Sequence, residues 1–60
     1  MTTTLFDKNG AVIYTHESNQ KRCTYKGSCE FADRAVIELP QVYKVIVKAR
    51  DGRTHVAKKK

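Results

Sequence analysis

Cys23, Cys29, His16 and His55 are the side chains of this 60-residue chain best suited to metal or nucleophile chemistry. Two thiolates and two imidazoles are the minimum set for a tetrahedral zinc ion. The spacing argues against one. Cys23 and Cys29 stand six positions apart, outside the usual knuckle spacer of about two to four residues, and the histidines fall in different predicted hairpins. A Cys23–Cys29 disulfide would close a small loop around Thr24–Ser28, but a reducing compartment opposes it. The expectation is two thiols acting as small hydrophobes. A Cys–His nucleophile pair needs a base within reach and a cleft around it, and sixty residues leave little room for a pocket of about 300 Å³ or more. No catalytic residue, no metal, no cofactor and no small-molecule substrate are therefore expected. Lys26-Gly27-Ser28 lacks the longer glycine-rich pattern of a phosphate-binding loop and reads as the entry turn of a helix.

The stronger chemical signal is charge. Residues 1 to 40 carry five basic and five acidic side chains, whereas residues 41 to 60 carry seven basic ones against Asp51 alone. The whole formal charge of +6 thus sits in the last third of the chain. A neutral body with a basic end attracts polyanions. The opening MTTTLF has no basic and apolar leader pattern, and no apolar run, Val45-Ile46-Val47 included, exceeds four residues, far short of the ~20 residues of a membrane span. The expectation is a cytoplasmic protein with no membrane contact.

These groups must be positioned by a thin fold, since one core of this size supplies only ~3–5 kcal/mol. Thr2–Phe6 and Ala11–His16 flank Asn9-Gly10, a strong hairpin signal that leaves a two-residue and a three-residue loop both open. Glu17–Gly27 is polar and reads as a surface loop, with a short strand at Arg22–Lys26 as the alternative. From Ser28, taken as N-cap, Phe31, Ala32, Ala35, Val36 and Leu39 gather on one helical face, and Pro40 ends the helix. Ile37 falls outside that face. The clearest element is a second hairpin, Val42–Lys59, turning at Asp51-Gly52. A type I′ two-residue turn there pairs Ala49 with Thr54, Lys48 with His55, Val47 with Val56 and Ile46 with Ala57. Residues 1–60 are thus expected to form one α+β domain, an antiparallel sheet of two hairpins with one helix packed on it, and residues 58–60 a frayed basic tail. A small all-β barrel is the alternative.

In that register Tyr43, Val45, Val47, Ala49, Thr54 and Val56 face the core. Lys44, Lys48, Arg50, Arg53, His55 and Lys59 project from the other side around an apolar centre of Ile46 and Ala57. Opposed like charges destabilise a hairpin, and a polyanion relieves the repulsion. The leading expectation is a non-enzymatic protein that contacts nucleic acid, DNA or RNA, through this face. The alternative is a phage- or mobile-element-type accessory protein that inhibits a larger host protein by docking on an acidic surface. The structural counter-reading is a lysine-rich edge that only blocks unwanted strand pairing.

Overall fold

The computed structural model describes residues 1–17 and 24–59. It has strands β1 (Thr2–Phe6) and β2 (Val12–Glu17), helix α1 (Tyr25–Glu38), and strands β3 (Lys44–Lys48) and β4 (Thr54–Lys58). The strands form one antiparallel sheet in the order β2-β1-β3-β4. The helix lies on one face, over β3 and β4. This is the expected α+β arrangement of two hairpins and one helix. The barrel alternative falls because residues 34–38, its required strand, are helical. No helix among the described residues is long and apolar enough to cross a membrane.

Both turns share one solution. Asp7 N–H donates to the Ala11 carbonyl at 2.9 Å, and Ala49 N–H to the Arg53 carbonyl at 2.8 Å. Each loop therefore has three residues, closed by a glycine at positive φ, Gly10 at 84° and Gly52 at 96°. A type I′ turn needs positive φ at both central residues, and no non-glycine residue among the described ones has it. Asp51 thus excludes that turn. The Asp7 and Asp51 carboxylates complete the loops by accepting backbone N–H bonds from Asn9 and Ala11, and from Arg53.

The extra loop residue moves the register of β4 by one. Val45 pairs with Ala57, Ile46 with Val56, Val47 with His55 and Lys48 with Thr54. A one-residue slip sends every side chain of a strand to the opposite face. The β3 assignment holds, with Val45 and Val47 fully buried. The β4 assignment is corrected: Ala57 is buried, whereas Thr54 and Val56 are exposed. Tyr43 also leaves the expected core and is exposed.

The helix starts earlier than expected. Thr24, not Ser28, is the N-cap, its hydroxyl accepting from Gly27 N–H at 3.0 Å. Lys26-Gly27-Ser28 therefore lies inside the first turn. The strand alternative at Arg22–Lys26 and Cys23 extend outside the described residues, but Tyr25 and Lys26 are helical. Thr24→Ala removes the cap and is expected to cost about 1 kcal/mol, read as a lowered denaturation midpoint. Only Ala32, Ala35 and Val36 of the helix are buried, against Met1, Leu5, Val42, Val45, Val47 and Ala57. Phe31 and Leu39 lie outside this narrow stripe and are exposed, as is Ile37. Small residues on both layers let helix and sheet approach closely, which is how so short a chain excludes water from a core.

Candidate functional site

The helix covers one side of the sheet, and no described element covers the other. Residues paired across an antiparallel ladder share a face, so the registers lay out this open side as three rows running from β2 to β4. The first is Glu17, Thr2, Lys48 and Thr54; the second Thr15, Thr4, Ile46 and Val56; the third Val12, Phe6, Lys44 and Lys58. An apolar and threonine band thus runs between Lys48 on one side and Lys44 with Lys58 on the other. Glu17, at the far edge, is the one carboxylate in these rows, and its Oε1 accepts from the Thr2 hydroxyl at 3.4 Å. The Lys44 ammonium stands 4.7 Å from the centre of the Phe6 ring, a cation–π contact that holds it over the sheet.

Lys44 and Lys58 are directly opposed. Like charges in that position repel across a spacing of about 5 Å. Among the described residues, none of Lys44, Lys48 and Lys58 is in an ion pair.

The structure divides the expected basic face. Lys44, Lys48 and Ile46 lie on the open side as expected, and Arg50 is exposed in the β3–β4 turn. His55, Ala57 and Lys59 do not join them, because the register shift turns them toward the helix. His55 Nε2 lies 3.0 Å from an Asp33 carboxylate oxygen on α1, which gives a half-buried imidazole a polar partner. Lys59 donates to the carbonyls of Leu39 and Pro40 at 3.4 and 3.3 Å, with its ammonium 5.0 Å from the Tyr43 ring centre. A cation there complements the carbonyl end of the helix. Arg53 stacks 4.6 Å from the Tyr25 ring centre and pairs with Asp51 at 2.7 Å.

The backbone N–H of Arg53, followed by its guanidinium, holds the Asp51 carboxyl below its ordinary range. Burial and then the Cys29 thiol push the Tyr25 phenol up, against the opposing pull of Arg53. These contacts knit the turn to the start of the helix and leave Arg53 less free to meet a ligand. Lys58, expected to belong to a frayed end, is the cation that sequence reasoning missed. The signal that could have found it is the three-residue loop ending in glycine, weighed at Asn9-Gly10 but not at Asp51-Gly52.

The two histidines do not converge. His16 is on β2 and His55 on β4, the two edges of the sheet, three strand spacings or about 14 Å apart. Among the described residues no group of three or more His, Cys, Asp and Glu side chains could hold a metal ion. Cys29 is half-buried on α1, and Cys23, expected with it to be a free thiol rather than half of a disulfide, lies outside the described residues. No family model, no curated protein and no solved structure matches this chain.

Proposed function

We propose that this chain is a non-enzymatic binding module of the cytoplasm that holds nucleic acid on the open face of its sheet. The observation that supports this most is the trio Lys44, Lys48 and Lys58, without ion-pair partners among the described residues, around a band of Thr4, Ile46 and Val56 on an uncovered sheet. Lysines supply backbone neutralisation, and a flat sheet surface suits unstacked bases or a groove wall. Three phosphate contacts give a salt slope of log K near −2.7 on duplex and about −2 on single strands.

The test is fluorescence anisotropy with labelled single-stranded and duplex oligonucleotides across a salt series. Binding that weakens along one of these slopes supports the reading. No binding at low salt overturns it.

One observation favours a second reading. Ile46 and the exposed Val56 make an apolar centre ringed by lysines, the anatomy of a protein interface with its polar rim. In that reading the chain is an accessory protein of phage or mobile-element type that blocks a larger host protein through that partner's acidic surface. It then ignores free oligonucleotides.

A further inference from the structure

We propose that β2 is a dimerisation edge, through which two copies of this chain join into one continuous eight-stranded sheet. The proposal is independent of the nucleic-acid reading. Both β2 and β4 are edge strands, and an edge strand offers unpaired backbone groups to any chain that can reach it. The two edges differ in protection. β4 carries Lys58 and is flanked by Arg53 and Lys59, whereas β2, Val-Ile-Tyr-Thr-His-Glu, has no lysine, arginine or proline and is exposed at all six positions. Its single irregularity is a bulge at the start, opposite Leu5 and Phe6, and Tyr14–Glu17 pairs regularly with β1.

The direction of the free groups follows from the ladder. Asp7 N–H bonds to Ala11, so the alternate β1 residues Leu5 and Thr3 also turn their backbone toward β2. Their partners Tyr14 and His16 face β1 in return, and Thr15 and Glu17 present N–H and C=O outward.

Charge selects a second copy as the occupant and β2 as the edge it uses. Two copies joined through β2 keep their β3 strands five strand spacings apart, on the order of 24 Å, well beyond the ~8 Å screening length at physiological salt. Joined through β4, they would bring the Lys58-bearing strands side by side and leave the two β3 strands only three spacings apart, on the order of 14 Å. Shape agrees with charge. Because α1 packs on β3 and β4, the helix side of β2 is empty among the described residues. A two-fold axis through Thr15, perpendicular to the sheet, brings two copies together without a collision of helices.

In that arrangement Thr15 pairs with Thr15 of the second copy, and Ile13 with Glu17. Tyr14 falls opposite His16 of the second copy. Tyr14 and His16 already stack within one copy, with ring centres 6.4 Å apart. The dimer therefore gathers four rings that are exposed in the single chain, a cross-strand aromatic cluster of the kind that stabilises sheets. The same axis keeps the two open faces on one side, doubling the lysine-bearing surface. A ladder of this length lies at the small end of stable interfaces, so the dimer is expected to depend on concentration.

Sedimentation equilibrium from micromolar to millimolar protein tests it, read beside amide hydrogen exchange. The expected result is a monomer–dimer transition in which the Thr15 and Glu17 amides become protected as dimer forms. The His16 amide, bonded to β1, is expected to be protected throughout. Thr15→Lys places like charges on the axis and is expected to stay monomeric across the range with an unchanged circular dichroism spectrum. A chain still monomeric at millimolar concentration overturns the proposal. So does a dimer in which the Thr15 and Glu17 amides exchange as in the monomer, a result that needs no variant.

Discussion

Ala57→Asp is expected to unfold this domain at neutral pH, whereas Val56→Asp, one residue earlier on the same strand, leaves it folded. Ala57 is 6% exposed and packed into the cluster formed by Ala32, Ala35, Val36 and Val45. A carboxylate there is stranded without a partner, at a cost of at least ~3 kcal/mol. The entire stability of so small a core is about 3–5 kcal/mol. Val56 is 45% exposed on the open face beside Ile46, so aspartate there meets water and two nearby lysines. Its cost is the loss of strand propensity and cross-strand packing, about 1 kcal/mol. Circular dichroism and thermal denaturation of the two variants measure the contrast. The reverse outcome, with Val56→Asp unfolded and Ala57→Asp folded, would mean that the hairpin closes with a two-residue turn.

The second large effect is expected in binding. Reversing Lys44, Lys48 and Lys58 together to glutamate is expected to lower affinity for duplex nucleic acid by about a thousandfold at roughly 50 mM salt, since each phosphate contact is worth roughly tenfold there through counterion release. All three side chains rise from the open face, so the fold is expected to survive. The matching control reverses Lys26 and Arg34, both exposed on the helix at the other side of the sheet. That variant is expected to keep most of the affinity. Equal losses in the two variants would show that binding follows net charge rather than this face, and the assignment of the site would fail.

Most of the local structure was legible in the sequence. Asn9-Gly10 and Asp51-Gly52 between β-rich runs mark two hairpins because the glycines supply the positive φ that tight loops require. The spacing of Ala32, Ala35 and Val36 marks the helix and its buried stripe. The helix start was harder to read. Thr24 and Ser28 are equally good caps by residue type, and the choice goes to Thr24 because Tyr25 then packs against the core beneath Arg53. Phe31 shows the same limit: its spacing fits the apolar face, but the helix rests on only two strands, and the buried stripe is too narrow to include it.

The candidate site was half legible. Lys44, Ile46 and Lys48 follow from simple alternation along β3, whose buried partners Val45 and Val47 are unambiguous. His55, Ala57, Lys58 and Lys59 depend on the register of β4, and Asp-Gly is compatible with two loops that differ by one residue. Nothing within the hairpin alone separates them. The helix does, because one register places the small side chain of Ala57 beneath it and brings His55 to Asp33, while the other would turn His55 and Ala57 out to solvent and bring Thr54 and Val56 inward.

By itself, then, the sequence determined an α+β chain of two hairpins and a helix, with all its net positive charge in the last third. Only the tertiary structure decided which of those charges share a surface. A strand's side chains alternate with a period of two, so packing against the helix sets the face of all of β4 at once. It drew His55 and Lys59 toward the helix and left Lys58 beside Lys44 on the open sheet.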